Sequence, residues 1–325
     1  MIVSIQHEIA ISYSSNVSES VMDVRLTPQT DGHQTLRKFN LVVDPDVPVL
    51  VHFDWQDNRV HQFSIVGSHD RSVIVTNSTI EIHPRRWQLD RYNDLRPILA
   101  FDHRYQDFLL PHGPVQFDSG LAQLAREMCP GRESRVTLAL TAVMNRLPTL
   151  VKFNKVAVTL SGACVSDILT RGEGNAQDCA HVALAMLRQL GVPARYVSGY
   201  LFQQGMINLD HHAWIEALVP SAGWIGIDPT RGQLVGAGHV ALAIGRSELD
   251  VLPRCGVFRG GAQQSIEHSL RRIDVQLDRP DHWSWTPQFD NGPSTIPRRH
   301  QLPAEPSFHH REMWTQTSIE QQSLQ

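Results

Sequence analysis

Cysteine is scarce in this 325-residue chain: Cys129, Cys164, Cys179 and Cys255 stand far apart, with no CxxC pair among them. That spacing argues against both a zinc ribbon and a disulfide framework, so reduced thiols of a cytoplasmic protein are expected. Long apolar runs are missing as well, none reaching the roughly 18 residues that a membrane helix needs. The first residues, MIVSIQHEIAISY, lack a charged segment followed by an unbroken apolar one, so no secretory leader is expected. No stretch is strongly basic, and the formal charge is −4, which gives no electrostatic ground for a nucleic-acid or membrane partner. Although there are 17 histidines, no HExxH or comparable ligand spacing occurs. Neither a metal nor another cofactor is therefore expected.

What is present is enough apolar sequence, 41% of residues, to build a full core and more than one domain. Residues 1–88 alternate apolar and polar side chains in short runs: Val3, Ile5, Ile9 and Ile11; Met22, Val24 and Leu26; Val49, Val51, Phe53 and Trp55; Val73 and Val75; Ile80 and Ile82. Period two predicts strands with one buried face, separated by turns at Thr30-Asp31-Gly32 and Gln56-Asp57-Asn58. An antiparallel β-sandwich is expected, a scaffold that can also serve as a dimer or substrate-docking surface. Residues 89–118, with Pro97, Pro111 and Pro114, suit a linker. Residues 119–278 form the main domain, and 279–325, rich in proline and glutamine but carrying Trp283, Trp285 and Trp314, a partly irregular tail.

Within the main domain, helices are predicted from Ser119, from Val136 to near Pro148, and from a cap at Ser166. The strongest element follows them. Asn175 is a good N-cap, Asp178 can reach back to it, and from Ala176 to Leu190 apolar residues occupy nearly every side, as only a buried helix tolerates. Gly191 and Pro193 stop it. Strand-like segments come next, over 194–201, 212–219 and 223–228. Helices first and antiparallel strands after make an α+β domain.

The run from Gly174 through Gln177-Asp178, Ala180-His181 and an apolar helix to Leu190-Gly191-Val192-Pro193-Ala194-Arg195-Tyr196-Val197-Ser198-Gly199-Tyr200 resembles the signature of bacterial transglutaminase-like proteins. These are a branch of the papain-like cysteine acyltransferases and proteases. The resemblance implies a papain-like core behind an N-terminal β domain, in which a strand like Asn58–Phe63 recurs. It also implies a peptide or protein substrate offering glutamine or other amide groups. The closing strands of that core would be Gly256–Gly261 and the alternation Ile273, Val275, Leu277. At the nucleophile position, however, stands Ala176, and Cys179 falls where the family has an aromatic residue.

Two motifs complete the resemblance. His211-His212-Ala213-Trp214-Ile215-Glu216 and Gly223-Trp224-Ile225-Gly226-Ile227-Asp228-Pro229-Thr230 are similar to the family's histidine and aspartate strands. They make His212 the general base and acid and Asp228 its orienter, with Gln177, Asp178, Trp214 and Trp224 around the cleft. A hairpin centred on Pro220 places His212 opposite Asp228 and His211 on the other face. Three readings follow: a cleft that recognises an amide but has lost the thiol step; an active amide hydrolase or transglutaminase using Cys179 with His212 and Asp228; and a non-enzymatic interaction module, monomeric or homo-oligomeric, binding through the sandwich and the tail.

Overall fold

The computed structural model describes residues 1–83, 87–95, 103–130, 134–157, 163–202 and 209–273. The tail with its three tryptophans, Pro97, Val275 and Leu277 lie outside the described residues. The first region is built on two long antiparallel strands, β1 (Ile2–Val24) and β4 (Arg59–Ile82), with β2 (Gln34–Asp44) and β3 (Val49–Phe53) between them in sequence. β1 and β4 pair from Ile2 opposite Glu81 to Val24 opposite His61, with register irregularities between Ser12 and Glu19. β2 pairs with the second half of β4 and β3 with its first half. Period-two burial holds along β1, where Val3, Ile5, Ile9 and Ile11 are all buried. These four strands thus belong to one hydrogen-bonded sheet, which has six strands in all. An expectation fails in the third run: Val51 and Phe53 of β3, and Trp55 in the turn after it, are exposed, at 49%, 60% and 54%. Leu50 and His52, on the other face of β3, are exposed as well, so this short strand buries neither face fully.

The second region starts with α1 (Ser119–Met128), capped by Asp118, whose carboxylate accepts from the Leu121 amide at 2.7 Å. Serine at 119 is thereby the first helical residue, not the cap. α2 (Val136–Leu150) continues through Pro148 in its last turn. After the short β5 (Lys152–Phe153) comes α3 (Val165–Arg171), capped by Cys164 with Asp167 reaching back, so the cap falls two residues before Ser166. β6 (Glu173–Gly174) then leads into α4 (Ala176–Gln189), whose Asn175–Asp178 capping box forms as expected. Ala180, Val182, Ala183, Leu184, Ala185, Met186 and Leu187 of α4 are completely buried.

α4 packs on a five-stranded antiparallel sheet made of β7 (Ala194–Phe202), β8 (Leu209–Val219), β9 (Gly223–Asp228), β10 (Gln233–Leu234) and β11 (His239–Gly245), in the order β10-β9-β8-β7-β11. The final strands go elsewhere. β12 (Arg254–Arg259) and β13 (Gln264–Ile273) both pair with β1, so they complete the first region's sheet instead of closing the core. Of the expected closing strands, Gly256–Gly261 overlaps β12, whereas of the alternation Ile273, Val275, Leu277 only Ile273 falls in β13.

The two sheets share one apolar cluster, in which Ile5, Ile9, Ile74 and Ile80 meet Tyr200, Phe202, Leu209, Val240 and Leu242. They are also joined through β11, the edge strand of the core sheet. Two side-chain amides from the first region satisfy its outer backbone. Gln34 accepts from the Ala241 amide and donates to the Ala241 carbonyl, both at 2.8 Å. Asn58 does the same for Ile244, both at 2.8 Å, while its remaining capacity is taken by Gln29 and Asp54. An open edge is therefore sealed without adding a strand. Replacing Asn58 by Leu keeps the branched shape but leaves two half-buried backbone groups of Ile244 without their partner, so urea unfolding should show a loss of about 2–4 kcal/mol. A change below ~0.5 kcal/mol would show that water replaces the amide.

Candidate active site

The site begins at the start of α4. Gly174 lies so close to Asp178 that a Cβ there would stand 2.6 Å from the Asp178 Cβ, which is why glycine precedes the cap. Asp178, fully buried, accepts from the Asn175 amide and from Arg171 at 2.8 Å. It is committed to the helix start and does not line a cleft. Gln177 is half-buried beside it, and Ala176 presents only a methyl group at the nucleophile position.

On the sheet, His212 donates from Nε2 to Asp228 Oδ2 at 3.1 Å, both residues buried. The pair forms even though the register is two residues from the expected one. Glu216 pairs with Gly226, and a three-residue turn, Pro220–Ala222, precedes Gly223 at φ 82°. A slip of two preserves the face, whereas a slip of one would have separated the side chains. His211 falls on the other face, as alternation requires, with its ring against that of Tyr200. Asp228 is fixed from its other oxygen by Thr230, whose amide and hydroxyl donate at 3.0 and 2.7 Å. Burial opposes its charge, but the hydrogen bonds from His212 and His239, then Thr230, outweigh this and hold the carboxyl well below the usual range.

His239, from β11, is the residue that sequence reasoning missed. Its Nε2 lies 3.1 Å from the same Asp228 oxygen, so two imidazoles share one carboxylate atom. No local motif marks it, because the three partners come from three strands. Trp214 is 1% exposed and fills the space beneath, its ring 6.4 Å from that of His212 and 5.2 Å from that of His239. It is core and not an open cleft wall. Trp224 sits further along β9, with the Arg195 guanidinium 4.3 Å over its ring and Tyr105 and Phe108 at its edges. Arg195 in turn pairs with Glu216 across the strands at 2.6 Å.

Cys179 is fully buried in the cluster between α4 and the sheet, with Ala213, Ile215 and Ala217. Those residues alternate with His212 and Trp214 along β8, so they lie on the other face of the strand from the imidazole. Among the described residues no hydrogen bond joins the thiol to that imidazole. Burial pushes the Cys179 thiol up to about 12, with Asp178 and Asp228 adding to the effect. A neutral, enclosed thiol is a small hydrophobe. His181 is also buried; it stacks on Tyr196 with centroids 5.4 Å apart, and burial brings its pKa down to about 3.

The transglutaminase-like superfamily core matches residues 122–229, and the bacterial transglutaminase-like N-terminal region matches residues 3–96. Together they define a papain-like core behind its customary N-terminal region. The chain belongs to the bacterial transglutaminase-like family. It is 25% identical over 269 residues to an uncharacterized protein of Mycobacterium leprae, covering 80% of this chain and 94% of that one. A protein-glutamine gamma-glutamyltransferase of Pseudomonas aeruginosa is 45% identical over 65 residues, 16% of this chain and 9% of that one. Among solved structures, a candidate cysteine protease from Cytophaga hutchinsonii shares the fold, with a TM-score of 0.69, 21% identity, and coverage of 85% of this chain and 92% of that one.

The burial of Cys179 generates a direct expectation. Treated with iodoacetamide at pH 8, the folded protein should be labelled first at the exposed Cys255. Cys179 should react at least a hundredfold more slowly until the protein is unfolded. Rapid labelling of Cys179 near neutral pH, mapped by mass spectrometry, would contradict its enclosure.

Proposed function

We propose that this protein receives an amide, a glutamine side chain or a peptide bond of a protein partner, in a transglutaminase-like cleft, and that it lacks the ordinary thiol step. The observation that carries the reading is the retained His212–Asp228 hydrogen bond at 3.1 Å in a chain whose α4 begins with Ala176. In a thiol-dependent enzyme the thiolate attacks the amide carbon, the imidazolium protonates the departing amine, and water or a second amine resolves the thioester. Here the imidazole and its orienter are kept and the nucleophile is absent. The Asp178 amide is taken by the Asn175 side chain, while those of Ala176 and Gln177 lack intrahelical acceptors by construction and can serve a developing oxyanion. The likeness to a protein-glutamine gamma-glutamyltransferase supports glutamine as the group recognised. The four free cysteines fit a reducing compartment, and we place the protein in the cytoplasm on that ground.

The alternative, catalysis by Cys179, requires a completely buried thiol, whose pKa burial pushes up to about 12, to ionise and leave its cluster. The test restores the missing group. Ala176→Cys should acquire glutamine-peptide amidase or transamidase activity over a near-zero background. The gain can be large, since losing a triad nucleophile costs on the order of 10⁶ in kcat. Adding His212→Ala should abolish it. A folded Ala176→Cys protein with no turnover on any glutamine peptide would remove the amide-binding reading.

A further inference from the structure

Three side chains with metal-binding atoms converge on the face of the core sheet that carries His212. His212, Asp228 and His239 offer ligand atoms within 4.8 Å of one another, and both Nε2 atoms are 3.1 Å from Asp228 Oδ2. All three residues are 7% exposed or less. We propose that this cluster binds a single divalent first-row transition ion, zinc foremost, through His212 Nε2, His239 Nε2 and Asp228 Oδ2. Two imidazoles and one carboxylate form a donor set of hydrolytic zinc sites, and bonds of about 2.0 Å set ligand atoms about 3.3 Å apart in a tetrahedron. Two of the three edges already have nearly that length, so small ring movements would complete the site.

The surroundings suit an ion as well as they suit hydrogen bonds. Metal ligation of Nε2 moves each neutral imidazole's proton to Nδ1, which then needs an acceptor. For His239 both requirements are met by one residue. Nδ1 lies 3.3 Å from the Gly236 amide and 3.4 Å from the Gly236 carbonyl, so either tautomer finds a partner. Thr230 holds Asp228 Oδ1, leaving Oδ2 for the ion. The Arg231 guanidinium, 3.8 Å from Oδ2, opposes a cation, but its side chain is 36% exposed and can swing into solvent. A cavity of about 500 Å³, lined by Arg231, Gln233, Gly236, Gly238 and His239, gives access.

Binding itself does not rest on the amide-cleft reading, but a consequence does. With Nε2 ligated and Nδ1 protonated, His212 cannot accept a proton from a thiol, so zinc would silence the activity restored by Ala176→Cys.

The full-length wild-type protein, stripped with EDTA and titrated with Zn²⁺ by calorimetry at neutral pH, tests the proposal without any thiol at 176. One equivalent should bind with a micromolar or tighter Kd. His239→Ala and Asp228→Asn should each weaken binding at least tenfold, and Arg231→Gln should strengthen it. Because a variant in the cluster can fail to fold, the same question is put to the unmutated protein. Anomalous diffraction from crystals soaked in zinc should place the ion between the three named atoms. Substoichiometric uptake, an ion found at other histidines, or a folded His239→Ala protein with undiminished affinity would each overturn the assignment. Zinc binding with a catalytically silent Ala176→Cys protein, measured free of metal, would retain the metal site and reject the amide cleft.

Discussion

The buried carboxylate of Asp228 is the constraint around which the site is arranged. A fully enclosed charge is tolerated only where donors converge on it, and here Thr230 serves one oxygen while His212 and His239 share the other. Those donors come from β8, β11 and the turn after β9. The charge therefore fixes the relative positions of three strand ends and fixes two imidazole rings as it does so. Removing it would leave two buried histidines without their acceptor, a larger disturbance than the loss of one side chain suggests.

The first region bears on the same strands. β11 carries His239 and is the outer strand of the core sheet, where an unsealed edge would fray or recruit foreign chains. Gln34 and Asn58 seal it by bonding both backbone groups of Ala241 and of Ile244. The shared apolar cluster beneath Tyr200 and Val240 holds the opposite face of β7 and β11. Gly199 shows how tightly the site side is packed, since a Cβ there would overlap the Val240 carbonyl and the Trp214 ring. The N-terminal sheet thus acts on the site through the strand that holds its third member.

Much of this was legible in the sequence, for reasons that can be named. α4 was readable because a cap, a reciprocating aspartate and apolar residues on every side occur together. His212 and Asp228 were readable because each sits in a motif, and their union survived a register error of two because strand parity repeats every two residues. His239 was not, since no spacing along the chain reports a meeting of three strands. The destination of β12 and β13 was hidden for a related reason: alternation marks a strand but carries no information about its neighbour. The exposure of Phe53 and Trp55 was misread because period two identifies a face without saying whether anything covers it.

The proposed function depends on His212 being able to activate a thiol at position 176, where this chain has alanine. The most direct measurement is the pH dependence of iodoacetamide alkylation at position 176 in the Ala176→Cys protein, read from the peptide that spans it. If His212 and Asp228 remain poised toward the start of α4, the alkylation rate should rise with an inflection below pH 7, and His212→Ala should move that inflection upward. An inflection near pH 8.5, that of an ordinary cysteine, in a correctly folded protein and unaffected by His212→Ala, would contradict the account.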